Sequence, residues 1–271
     1  MSSLDPVLVG ELLLLGCGGG FLAGLLGIGG GMVLVPFTTV LLEEGGFPQA
    51  LALKVGIATS LATICFTALS SVRAHHARGA VRWPLVARLA PGIVAGSLAG
   101  AQLAGALPTR WLALLFAVFL GLTATRMLAP RSKAAQRSLP GAGRLAGVGG
   151  LIGLVSAVVG AGGAFISVPY MTSRQVPIHQ AVGTSSALGF PIALAGTLGY
   201  VIAGWRLGGL PAGTLGYVYL PALAVLAAGS VMTAPAGAWT AHRLDTTQLR
   251  RVFALLLYGI AVYMLVRALR S

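Results

Sequence analysis

Charged residues are confined to short intervals along this chain, and the blocks between them are continuously apolar. No acid or base occurs from Leu12 to Leu42, from Leu145 to Ser173 or from Leu207 to His242. Each run exceeds the roughly 20 residues that one membrane-spanning helix needs. The runs and their punctuation predict segments at 7–26, a short 32–42, 49–72, 84–106 and 110–128, then at 145–161, a short 164–173, 178–204, 215–241 and 248–268. As a helix, 32–42 extends only ~16 Å, about half of the ~30 Å hydrocarbon core. It cannot span alone. Each half is therefore expected to open with a helical hairpin, followed by three full spans.

The tips of those hairpins are glycine clusters that recur. Gly27-Ile28-Gly29-Gly30-Gly31-Met32-Val33-Leu34-Val35-Pro36 is followed 133 positions later by Gly160-Ala161-Gly162-Gly163-Ala164-Phe165-Ile166-Ser167-Val168-Pro169. A glycine cluster breaks a helix and bares backbone polar groups, which lipid cannot satisfy. Broken backbone at membrane depth is tolerated only where it is buried in protein or lines a polar cavity, and paired breaks in two repeats mark a transporter binding site. The repeat extends further. A displacement of 125 superposes Ala58-Thr59-Ser60 on Gly183-Thr184-Ser185, and one of 137 superposes Gly100–Leu128 on Gly237–Leu265. The chain reads as a first transmembrane repeat, 1–128, a basic linker, 129–144, and a second repeat, 145–271. The expected fold is an all-α polytopic membrane protein of about 8 to 10 membrane segments.

Composition agrees with the pattern: 56% of residues are hydrophobic and 8% charged. The formal charge of +13 could suggest nucleic acid, but the bases sit between apolar segments rather than along one polar face, which is positive-inside topology. Arg73, Arg78, Arg82 and Arg88 flank one loop. Arg126, Arg131, Lys133, Arg137 and Arg144 fill the linker, Arg174 precedes a span, and Arg243, Arg250 and Arg251 flank another. Opposite them fall Lys54, Arg110, Arg206, Arg267 and Arg270, a division of 13 to 5. The larger set marks the cytoplasmic side. If each hairpin returns to the side it entered, each half crosses three net times, so the halves are inverted relative to one another and both termini lie outside. Asp5 and Glu11 precede any early base, so the N-terminus lacks the basic flank of a signal peptide. Cys17 and Cys65 alone exclude a disulfide scaffold or a four-cysteine metal site.

The candidate chemistry is anion binding by neutral groups. A helix that begins directly after a glycine cluster presents unpaired N–H groups and the positive end of its dipole, and glycine lets a ligand approach the backbone. Two such ends meeting near midplane would hold an oxyanion at Gly29, Gly30, Gly31, Gly162 and Gly163. Thr59, Ser60, Thr184, Ser185 and Ser186 can add hydroxyl donors, or can simply bond helix backbone, as membrane Ser and Thr often do. Lys54 and His179 superpose under the displacement of 125, about one turn before each Thr-Ser pair, and could attract anions at the two mouths. Gly16, Gly20 and Gly24, like Gly92, Gly96 and Gly100, are spaced by four and read as helix-packing stripes.

Gly24-Leu25-Leu26-Gly27-Ile28-Gly29-Gly30-Gly31 with Val35-Pro36, then Ala58-Thr59-Ser60-Leu61, then Gly160-x-Gly-Gly with Val168-Pro169 and Ala181-Val182-Gly183-Thr184-Ser185-Ser186-Ala187, resembles the sulfite exporter TauE/SafE family of membrane permeases. The resemblance covers nearly the whole chain, and it departs from the family pattern at Ala164 and at Gly56-Ile57-Ala58. It implies movement of small sulfur-containing anions, such as sulfite or organosulfonates, across the bacterial inner membrane, with no cofactor and the lipid bilayer as its surroundings. A passive anion channel would use the same donors. An intramembrane enzyme is less favoured, because His75, His76, His179 and His242 map to loops or segment ends and no metal-ligand spacing occurs. The acids, Asp5, Glu11, Glu43, Glu44 and Asp245, offer no buried carboxylate pair for an ion relay.

Overall fold

The computed structural model describes residues 6–26, 30–128, 139–205, 207, 209–240 and 246–270. These form helices α1 (Pro6–Leu26), α2 (Gly31–Glu44), α3 (Gln49–His76), α4 (Trp83–Ala106), α5 (Thr109–Leu128), α6 (Ala142–Val159), α7 (Ala164–Thr172), α8 (Ile178–Gly204), α9 (Leu220–Thr240) and α10 (Thr246–Arg270). Seven of them, α1, α3, α4, α5, α6, α8 and α9, are long and apolar enough to cross a membrane. The chain is an all-α, multi-pass membrane protein, and helical spans of this kind place it in an inner membrane rather than among outer-membrane barrels.

The short helices are hairpin returns. α2 has 14 residues and α7 has 9, about 21 and 14 Å of helix. Gly19 of α1 lies against Leu34 of α2, and Gly45 after α2 lies against Leu8, so α2 runs back along α1 to the end where α1 began. Pro48 and Pro177 immediately precede α3 and α8, where a missing N–H costs nothing.

Glycine stripes bring helices of different halves together. Gly16, Gly20 and Gly24 of α1 face the backbone at Leu226, Ser230 and Ala234 of α9, and Gly92, Gly96 and Gly100 of α4 face Ala146, Gly150 and Leu154 of α6. A Cβ at any of these six would run into backbone atoms, so close packing is what the stripes are for. Numbers rise together in both pairs, which makes α1 parallel to α9 and α4 parallel to α6. α3 and α8 cross in opposite directions, with Leu61 against Gly196 and Ala68 against Gly189. α3 runs with α9, where Thr67 bonds Ser230 at 2.8 Å and Arg78 bonds the Ala238 carbonyl at 3.2 Å. α4 runs with α8, where Arg82 bonds Gln180 and Gln102 donates to the Gly199 carbonyl at 2.8 Å.

One end of the bundle thus collects Arg73, Arg78, Arg82 and Arg174. The other collects Lys54, Arg110 and the ion pair by which Arg267 of α10 grips Glu43 of α2.

Two expectations need correction in detail, and a third falls largely outside the described residues. The segment expected at 215–241 begins as a two-stranded hairpin, β1 (Thr214–Leu215) with β2 (Val218–Tyr219), because Gly213 and Gly216 take positive φ of 87° and 54°, and helix starts only at Leu220. α3 runs on to His76, so the histidine pair expected in a loop is in the helix's last turn. Of the linker expected at 129–144, residues 129–138 lie outside the described residues, and 142–144 already belong to α6.

Candidate functional site

Gly30 and Gly163 stand at equivalent points of the two hairpins and share one unusual conformation. Their φ values are 70° and 77° and their ψ values −14° and −7°, the left-handed region that an L side chain enters only with strain. Each is the N-cap of a short helix and supplies no side chain to cap it. Its carbonyl accepts the first helical bonds, from Val33 and Leu34 at one tip and from Ile166 and Ser167 at the other. The N–H groups that precede those donors, on Gly31 and Met32 and on Ala164 and Phe165, are those that a helix start leaves without an intrahelical partner. Gly31 lies against the Gly160 carbonyl, so the first tip touches the second. Gly29, expected beside them, lies outside the described residues.

A narrow cavity with room for about one water molecule adjoins this junction. Gly162 of the second tip lines it, with Ser185, Ser186 and Gly189 of α8. Ala23 of α1 and Ile64, Thr67, Ala68 and Ser71 of α3 close the other side. Among the described residues its polar lining is therefore hydroxyl and backbone, with no charged side chain. Ser185 Oγ lies 2.7 Å from Ser167 Oγ on α7, and Ser186 donates to the Val182 carbonyl at 3.2 Å. Displaced by 125, Thr67, Ser71 and Ser186 fall on Ile192, Gly196 and Leu61. Hydroxyls at these three positions thus lie toward the basic end of the bundle, while the equivalent surface toward the other end keeps Ser60 and Ser156, both buried, as its described hydroxyls.

The other candidates are distributed differently. Thr59 Oγ1 accepts from the backbone N–H of Tyr219, 3.1 Å away, just where α9 begins, and Thr184 Oγ1 accepts from the backbone N–H of Arg82 at 3.0 Å, just where α4 begins. Both threonines therefore hold the start of a helix in the other half. Ser60 is fully buried, and its hydroxyl has no hydrogen-bond partner among the described residues. Lys54 and His179 sit at opposite ends, Lys54 at 9% exposure and His179 exposed. Between α8 and α9, burial pushes the Tyr217 and Tyr219 phenols above their usual range, so both are neutral.

Sequence reasoning did not single out Ser71, Ser167 or Ser230. Ser71 carries a readable signal, since it continues the i, i+4 series Thr59, Thr63, Thr67 by one step. Ser167 and Ser230 have none, because their partners Ser185 and Thr67 lie 18 and 163 residues away.

The family model for the sulfite exporter TauE/SafE matches residues 12–264. A "Probable membrane transporter protein" of Haemophilus influenzae is 35% identical over 257 residues, covering 94% of this chain and 97% of that protein. Proteins of the same description from Xylella fastidiosa and Methanocaldococcus jannaschii are 27% and 24% identical, covering 97% and 94% of their own lengths. No solved structure gives a significant match. With both glycine tips, both Thr-Ser blocks and every spanning helix wholly or largely inside the matched region, the chain belongs to the sulfite exporter TauE/SafE family of membrane transporters.

Proposed function

We propose that this transporter is an exporter of small sulfur-containing oxyanions, such as sulfite or organosulfonates, and that it binds the anion where the two glycine tips meet. The observation that carries the reading is the cavity at Gly162, walled by Ser185, Ser186, Thr67 and Ser71 and adjoining the tips from which two uncapped helices start. Helix N-termini and hydroxyls supply hydrogen bonds and partial positive charge. A fixed Arg there would cost several kcal/mol without a partner and would hold an anion too firmly to release it. Gly29, Gly30, Gly31 and Gly163 shape the tips, and Ser60, whose buried hydroxyl has no partner among the described residues, is the equivalent donor of the first half. Thr59 and Thr184 keep the neighbouring helices in register.

The same reading makes the halves, 1–128 and 145–271, inverted repeats. Support comes from contacts that recur with the halves exchanged: Gly16 on Leu226 and Gly149 on Leu89, Gly20 on Ser230 and Gly153 on Ile93, Thr59 on Tyr219 and Thr184 on Arg82. Corresponding helices also run in opposite directions, α3 against α8, and α1 with α9 while α6 runs with α4. The basic end is then cytoplasmic.

A passive anion channel is the rival. The cavity has room for about one water, less than any of these anions needs, so either reading requires it to widen. Purified protein in proteoliposomes, tested with sulfite, sulfate, thiosulfate, sulfoacetate and chloride, decides between them. Saturable flux of a sulfur anion, accelerated by the same anion on the opposite side, is expected. Unsaturated currents, or flux of chloride alone, would overturn the reading.

A further inference from the structure

Lys54 is a cation in an environment that offers it no countercharge among the described residues. It lies on α3, near the end of the bundle opposite the arginine-rich one, and only 9% of it is exposed. Its Nζ donates to the Gly105 carbonyl in the last turn of α4 at 2.7 Å and sits 5.8 Å from the centre of the Tyr217 ring. Among the described residues the only ion pair is Arg267 with Glu43, so no described carboxylate pairs with Lys54. Burying an ammonium against neutral partners alone is costly, and an anion is what relieves that cost.

What covers Lys54 is a lid found, among the described residues, at one mouth only. The β1–β2 hairpin fills the space between α3 and the end of α8. Tyr217 stacks edge-on against Tyr200 at 6.1 Å, Tyr219 edge-on against Phe47 at 4.9 Å, and Gly216 abuts the Val201 backbone. Its backbone ties to the bundle are few: Tyr219 N–H to Thr59 Oγ1, and Tyr217 N–H to the Tyr200 carbonyl at 3.5 Å. At the opposite mouth the connection from α3 to α4 is 77–82 alone, with Ala80 where a displacement of 137 puts Tyr217, and His179, the counterpart of Lys54, is exposed.

We propose that Lys54 is a second anion-binding residue, separate from the hydroxyl-lined cavity, and that the Thr214–Tyr219 hairpin is the outer gate it latches. With the gate shut, the ammonium rests on Gly105 and Tyr217. When a small oxyanion reaches the outer mouth, the ammonium turns from the Gly105 carbonyl to the anion, leaves the Tyr217 ring, and frees the hairpin to swing from α8. This rests on the transporter reading and its orientation, and it makes Lys54 the residue that sets anion affinity on one side of the membrane.

The test is sided flux of radiolabelled sulfite in oriented proteoliposomes with wild type, Lys54→Met and Lys54→Arg. Lys54→Met is expected to raise the KM for sulfite at the outer face by roughly ten- to a hundredfold, the loss of one charge-assisted hydrogen bond, and to leave the inner-face KM within about twofold. Lys54→Arg is expected to restore most of the outer affinity. A fluorophore fixed by a thioether at Leu215→Cys, in a Cys17→Ser, Cys65→Ser background, should respond to external sulfite when Lys54 is present and stay silent when Lys54→Met is added. A residue that merely caps α4 would instead lower thermal stability and change both KM values alike, and that result, or no change in either, overturns the proposal. Ser185→Ala should weaken sulfite from both faces, so failure of the cavity reading is distinguishable from failure of this one.

Discussion

At the scale of single residues, the hydroxyls divide into those that hold a helix start and those that line the cavity or lie buried without a partner among the described residues. Thr59 and Thr184 accept from the N–H groups that open α9 and α4, so Thr59→Val and Thr184→Val are expected to lower the melting temperature. Interhelical hydrogen bonds in membranes average ~0.6 kcal/mol, and anion affinity should stay within a few fold. Ser185 and Ser186 line the cavity, and the Ser60 hydroxyl has no partner among the described residues. Ser60→Ala and Ser186→Ala should therefore weaken sulfite binding roughly ten- to a hundredfold with little loss of stability, whereas Ser185→Ala should weaken it similarly and also lower the melting temperature, because buried Ser167 loses its partner. Anion-induced shifts in melting temperature measure both quantities on one sample. The Thr-Ser pairs were legible as candidates from their repetition, but Thr and Ser of one pair face different neighbours. Periodicity along one helix does not reveal that, because Tyr219 and Arg82 come from the other half of the chain.

At the scale of elements, the broken hairpins were the most readable part of the sequence. Gly27–Gly31 and Gly160–Gly163 interrupt apolar runs, and the pieces after them are too short to span. The β1–β2 hairpin was not readable, because Val218-Tyr219-Leu220 continues into α9 as one apolar run and only Gly213 and Gly216, at positive φ, turn the chain. Replacing Gly30 or Gly163 with Val tests the tips. A β-branched residue there costs at least the roughly 1–2 kcal/mol of the left-handed region, and its Cβ meets the Gly19 carbonyl at one tip and the Ile192 side chain at the other. Gly163→Val should reduce anion binding more than the yield of folded protein, whereas Gly30→Val, whose Cβ meets backbone, should reduce binding and cost folded yield as well. Unchanged affinity in folded variants would make these glycines packing residues alone. Gly96→Leu, placed on the Gly150 backbone between α4 and α6, should cost folded yield outright.

At the scale of the whole molecule, the glycine stripes were legible as packing surfaces, yet their partners were not, since α1 meets α9 and α4 meets α6 across the two halves. That exchange ties each half to the other, and it makes the cavity at the tips a product of both. Reporter fusions in the linker and after α9 should read as cytoplasmic and those between α4 and α5 as external, and a linker reporting outside would contradict the inverted arrangement. The central claim is that neutral donors at paired glycine tips hold an oxyanion, and equilibrium binding of radiolabelled sulfite to purified protein tests it most directly. Wild type should bind saturably, and the folded Ser185→Ala, Ser186→Ala double variant should bind at least about tenfold more weakly. Wild-type affinity in that double variant, or no saturable binding to the wild type, would contradict the claim.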